Sequence, residues 1–123
     1  LKASPILPMV LAGATGVLVN LLVLWLVMFL SHMFFLASAL GIEASVINNY
    51  LVADAFLHSR RRVGKLRGLL YFHGSVLAGV FAQYGAANAL FYVLHMPYLV
   101  AQVVGILLGF IANYLLSTST VWQ

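Results

Sequence analysis

Apolar residues run along this chain in four long blocks, Met9–Leu30, Phe34–Leu57, Leu69–Leu94 and Tyr98–Trp122, with polar residues gathered in the gaps. Each block exceeds the roughly 20 residues that an α-helix needs to cross about 30 Å of hydrocarbon. The alternating polarity of transmembrane strands, about 10 residues each, is not seen. The pattern predicts an all-α membrane protein with transmembrane helices over residues 8–30, 34–57, 69–94 and 98–122, and a loop at 58–68. These helices nearly fill the 123 residues. The chain 1–123 therefore reads as a single transmembrane domain with no room for a soluble catalytic one.

Composition agrees. Hydrophobic residues make up 64% and charged residues 7%, where a soluble domain carries about a quarter. Mean hydropathy is +1.08. There are no cysteines, which excludes disulfides, thiolate chemistry and Cys-based metal sites. The four histidines, His32, His58, His73 and His95, lie far apart and read as interfacial polar residues, so neither a metal nor a cofactor is expected. The first block is too long for a secretory signal peptide and lacks a clear cleavage site. The chain starts at Leu1 rather than Met, as a fragment of a longer protein or a processed chain would.

Charge sets the orientation. Five of the six Lys and Arg residues, Arg60, Arg61, Arg62, Lys65 and Arg67, fall in "HSRRRVGKLRG" (58–68), and the sixth is Lys2. The other two connections, "SHMF" (31–34) and "HMPY" (95–98), carry none. The positive-inside rule puts the basic loop and both the N and C termini in the cytoplasm. The protein is then multi-pass in the plasma membrane. The basic loop reads as a topology signal that also meets anionic lipid headgroups, at about 1 kcal/mol per charge. A lipid phosphate or pyrophosphate is a further candidate for it. Nucleic acid is not expected as a partner of so short a loop against a membrane. Cysteines placed at Ser31 and Ser59 should label from opposite sides of the membrane; labelling of both from outside would overturn this topology.

The chain echoes itself. At an offset of 64, "GIEASVINNYL" (41–51) matches "GILLGFIANYL" (105–115), and at an offset of 63 Gly16, Val17 and Asn20 fall on Gly79, Val80 and Gln83. Two helical hairpins in parallel repeat are expected, related by an axis along the membrane normal. Each helix also carries a small-xxx-small-xxx-amide stripe: Ala12, Gly16, Asn20; Gly41, Ser45, Asn49; Ser75, Gly79, Gln83; Gly105, Gly109, Asn113. Residues four apart share a helix face, and small residues with interhelical hydrogen bonds drive association in lipid. These stripes should face neighbouring helices.

Glu43 and Asn48 break the echo, since their counterparts are Leu107 and Ala112. An acid near the middle of a transmembrane helix costs about 2.5–3.5 kcal/mol on insertion scales and usually faces the bundle or a water-filled cavity. Glu43 is thus the first candidate site residue. It is expected to hydrogen-bond a substrate, or else a facing amide such as Asn20 or Gln83. Asp54, three turns on, reads as a partner for the Arg60–Arg62 cluster. Glu43, Tyr50 and Asp54 together could line a polar path to the cytoplasm.

The run "GATGVLVNLL" (13–22) in the first helix, Glu43 followed by "NNY" (48–50) in the second and "ANYLL" (112–116) in the fourth resemble the GtrA-like family over essentially the whole chain. The resemblance implies a four-helix membrane domain of cell-surface polysaccharide synthesis. Such domains are associated with polyprenyl-phosphate-linked sugars, either in translocating them or as the membrane domain of a polyprenol-phosphate glycosyltransferase. It further implies no catalysis by this segment, membrane lipid and a polyprenyl-phosphate sugar as ligands, and a glycosyltransferase subunit or fused domain as partner; a homo-oligomer also suits so small a unit. On this reading Glu43, Asn48, Asn49, Tyr50, Asn20, Gln83 and Asn113 meet the sugar or line its passage, and Arg60, Arg61 and Arg62 meet the phosphate. The stretch "LVADAFLHSRRR" (51–62) places its arginines later than the family pattern, and "STSTVWQ" (117–123) has none. The alternative is a small proton-coupled multidrug exporter using Glu43, although such exporters carry the acid in the first helix. A plain anchor with no ligand is the third reading.

Overall fold

The computed structural model describes residues 6–57 and 64–116. They form five helices: α1 (Ile6–Ser31), α2 (Phe34–Leu57), α3 (Lys65–Ser75), α4 (Leu77–Tyr92) and α5 (Tyr98–Leu116). No strand occurs among the described residues. In lipid each backbone N–H and C=O must be satisfied within its own segment, which favours uninterrupted helix. Stretches of α1 and α2, Val10–Ser31 and Phe34–Ala55, are long and apolar enough to cross a membrane. At 1.5 Å per residue α1 is about 39 Å long, enough to span with some tilt.

The third apolar block departs from the sequence expectation of one helix over 69–94. It begins earlier, at Lys65, and is broken at Val76 into α3 and α4. Val76 has φ −107° and ψ 9°, off the helical values. The cause is local: Gly74 and Ser75 precede the break, and Gly/Ser pairs are recurrent kink sites. The Ser75 hydroxyl turns back to donate to the Phe72 carbonyl (2.8 Å). That carbonyl also receives the Val76 N–H (3.2 Å). Such back-bonding bends helices.

Two hairpins follow, α1 against α2 and α4 against α5, with thinner contact between them. Their turns are built alike. His32 and His95 both adopt positive φ, 57° and 58°, a conformation in which His is among the tolerated non-glycine residues. Each is followed by Met, and "HM" then leads to Phe34 in one turn but to Pro97 and Tyr98 in the other. That additional proline accounts for the change of offset from 63 to 64. The helices also approach at matching points. A Cβ on Gly41 would lie 2.7 Å from the Asn20 carbonyl oxygen, and one on Gly105 would lie 2.7 Å from the Gln83 carbonyl oxygen. Only glycine allows backbones this close, as the stripes predicted.

The interior divides in two. Ala12, Ile42, Val46, Tyr50, Ala53 and Phe72 form one apolar cluster. Leu24, Phe34, Ala37, Ala87 and Ala101 form the other, near the turns; there Phe34 stacks on Phe91 with ring centroids 4.3 Å apart. Tyr92 accepts the Phe35 N–H at its hydroxyl (3.1 Å) and the Tyr84 hydroxyl donates to the Phe35 carbonyl (3.2 Å), which ties α4 to the start of α2.

Candidate functional site

A partly open cleft of about 100 Å³ lies between the two hairpins. α1 contributes Gly13, Gly16 and Asn20; α2 contributes Ser45 and Asn49; α4 contributes Gly79 and Gln83; α5 contributes Gly109 and Phe110. Phe72 of α3 and Val76 at the break close one side. The small residues leave the space and the amides line it. This is room for several waters or one small polar group.

The amides are not equivalent. Asn49 donates to the Ala12 carbonyl (2.6 Å) and the Ser45 carbonyl (3.1 Å), with its amide oriented so that nitrogen faces those oxygens. A side chain on Gly16 would collide with it. Asn20 accepts at Oδ1 from the Gln102 amide (2.7 Å), and Gln102 accepts from the Ser38 hydroxyl (2.8 Å). All three of these residues are buried. Gln83 is 9% exposed, faces the cleft, and its side-chain amide has no partner among the described residues. Buried amides are normally hydrogen-bonded, so Gln83 is the group here best placed for a ligand or water.

Several expected site residues lie elsewhere. Glu43 does not line the cleft. Its side chain is 53% exposed on the outer surface of α2, where it meets His73 Nε2 at 2.8 Å. Neither Asn20 nor Gln83 bonds to it. The reason is the α3 segment, which brings His73 beside Glu43 on the outside and turns Phe72 inward. Tyr50 is fully buried rather than lining a path; its hydroxyl donates to the Lys65 carbonyl (2.8 Å) and its ring packs on Phe72. Asp54 is buried, so the polar path through Glu43, Tyr50 and Asp54 does not form on one face. Asn48 donates to the Thr15 hydroxyl (2.9 Å) and joins α1 to α2. Arg60, Arg61 and Arg62 and the side chain of Asn113 lie outside the described residues. No cluster of metal-ligating side chains occurs among the described residues.

The sequence reading gave Thr15, Ser38 and Gln102 no role and took His73 for an interfacial polar residue. Ser38 and Gln102 stand 64 apart, the offset of the echo, and extending that alignment by one turn would have paired them. Nothing local to His73 signals its partner thirty residues away.

The model of the GtrA/DPMS transmembrane domain matches residues 9–122. The chain belongs to this family. A dolichol-phosphate mannosyltransferase from Pyrococcus furiosus is 31% identical over 113 residues, which is 91% of this chain and 32% of that protein. The chain therefore spans about a third of the length of that relative. No solved structure matches. As a GtrA/DPMS domain the chain is a membrane domain of a family connected with polyprenol-phosphate sugars. The GtrA-like resemblance read from "GATGVLVNLL", Glu43, "NNY" and "ANYLL" stands.

Proposed function

We propose that this chain is a four-span membrane domain, with both termini and the basic segment on the cytoplasmic side, that holds a polyprenyl-phosphate-linked sugar for a glycosyltransferase fused to it or bound beside it. The observation that carries this reading is the unpartnered Gln83 amide in a cleft between two hairpins, in a chain that belongs to the GtrA/DPMS family. Sugar hydroxyls both donate and accept, and a neutral amide matches them without placing a charge in the bilayer. Exposed Lys65 and Arg67 at the start of α3 suit a phosphate at the interface. The shared His turns and the matched close approaches at Gly41 and Gly105 support the duplicated hairpin. The segment itself carries no reaction; the transfer belongs to the partner domain.

An exporter centred on Glu43 fits less well, because the acid stands outside the cleft beside His73. The test is glycolipid product from the reconstituted transferase, or surface glycan in cells, at matched protein levels. Gln83→Leu removes no internal hydrogen bond and should fold normally, yet output should fall about tenfold, the equivalent of one good hydrogen bond at about 1.4 kcal/mol. Full output in Gln83→Leu would make the domain a plain anchor.

A further inference from the structure

Glu43 and His73 take no part in the cleft. Glu43 lies well inside Phe34–Ala55, the stretch of α2 able to cross a membrane. Nine residues separate it from Phe34 and twelve from Ala55, so helical rise puts it about 14 Å and about 18 Å from the two ends. Its short side chain does not bridge such a distance to water. Acids at that depth face the bundle interior or a water-filled cavity. In a single copy of this chain Glu43 faces neither, because its side chain is 53% exposed on the outer surface. Oε2 meets His73 Nε2 at 2.8 Å. Oε1 has no partner among the described residues. Something other than this copy must therefore supply the interior that the acid lacks.

The ground beside the pair is low. Ala39 precedes Glu43 by one turn, Gly74 follows His73, and Ala78 comes four residues after Gly74; all three are exposed. Nothing lies within 4 Å of the place a Gly74 Cβ would take, whereas Gly16, Gly41, Gly105 and Gly109 are each filled by a neighbouring helix. Small residues set around a hydrogen-bonding polar group are what brings helices together in lipid. We propose that this face of α2 and α3 docks a second copy of the chain, related by a two-fold axis along the membrane normal. The face lies away from Phe72 and the cleft, so the contact is independent of what the cleft carries.

The chemistry of the patch selects that partner. Glu43 and His73 touch, so they lie at one depth. Rotation about the membrane normal preserves depth and sets the acid of each copy against the imidazole of the other. Opposite groups then meet twice across the axis, and the contact closes at two copies. Other surfaces of the chain offer no such match. Among the described residues, the exposed side chains of α5 are all apolar, and those of α1 are apolar apart from the Trp25 indole, which stacks on Phe29. Tyr92 of α4 lies at the turn and is engaged by the Phe35 N–H. A head-to-tail contact through α1 or α5 would press the carboxyl group against hydrocarbon. No other charge competes at this depth: Asp54 is buried three turns further along α2, and Lys65 and Arg67 stand about two turns before His73.

The chain has no cysteine, so single cysteines report the contact cleanly. In phosphatidylcholine liposomes a short bismaleimide should join two copies of Ala39→Cys, and two of Ala78→Cys. Leu22→Cys and Val103→Cys, exposed on α1 and α5, should stay single. Photobleaching of single labelled particles at falling protein-to-lipid ratio gives the dimer dissociation constant. Glu43→Leu should weaken it about tenfold or more. Exchanging the pair, Glu43→His with His73→Glu, keeps an acid facing an imidazole on both sides of the axis and should restore it. Glu43→His alone sets like against like and should not. A wild type that stays monomeric at every ratio would overturn the proposal, and is the result expected were a transferase segment or a lipid headgroup the occupant. So would cross-linking at Leu22→Cys equal to that at Ala39→Cys, or a folded Glu43→Leu that pairs as tightly as wild type. The wild-type dilution series decides the matter even should the leucine variant fail to fold.

Discussion

Gly109→Leu should leave little folded protein. A Cβ at this position would stand 2.7 Å from the Gly79 carbonyl oxygen and 2.9 Å from the Gln83 Cβ. The first obstacle is backbone of the neighbouring helix and cannot rotate away. α5 would have to leave α4 even to admit an alanine, and leucine adds three carbons more. Overfilling a packed interior costs about 1–3 kcal/mol, occasionally more; here the obstacle is main chain, so the upper end applies. Close approach of small residues is also what holds helices together in lipid. Monodisperse yield in mild detergent and the midpoint of thermal unfolding would both fall sharply. Leu108→Ile, on the exposed face next door, should change neither. Equal tolerance at 108 and 109 would mean that α5 does not seat against α4 as described.

Gln102→Leu comes second. The Gln102 amide donates to Asn20 and accepts from Ser38, joining α1, α2 and α5 at fully buried positions. Leucine matches the bulk but strands the Asn20 oxygen and the Ser38 hydroxyl where water does not reach. An orphaned buried group costs about 1–3 kcal/mol, and interhelical hydrogen bonds in membranes run at about 0.6–2 kcal/mol each. A combined loss of about 2–4 kcal/mol is expected. Adding Ser38→Ala removes one orphan, so the double variant should recover part of the loss, and a double-mutant cycle isolates the coupling. Unfolding in detergent measures it. Were Gln102→Leu as stable as the parent, the network would not be a structural tie.

The helical class and the hairpin boundaries near residues 31–34 and 93–98 were legible because apolar runs and their gaps report directly on burial in lipid. The small-residue stripes were legible for a similar reason. Gly41 and Gly105 stand where a Cβ cannot, and four-residue spacing puts them on one face. The break at Val76 was not, since Leu77 continues the apolar run and hydropathy is blind to how a serine hydroxyl redirects a carbonyl. Glu43 was read as inward because isolated acids in lipid usually are. What changed its direction was a partner on another helix, and no local spacing encodes that. Gln83 was chosen as an echo of Asn20, yet the two differ in the fold: Asn20 is consumed by Gln102 and Gln83 is left facing the cleft.

The bond between Ser38 and Gln102 carries a lesson about ancestry. In the duplicated reading these residues occupy the same place in the two hairpins, 64 apart. An element that touches its own counterpart must lie on the symmetry axis relating the copies. A lone ancestral hairpin pairing with itself would have had to set identical side chains against each other there. On that reading, joining the copies into one gene lifts the constraint. One side could shrink to a hydroxyl while the other lengthened to an amide able to reach past it to Asn20. An asymmetric junction of this kind is open only to a protein that has stopped being a dimer of identical halves.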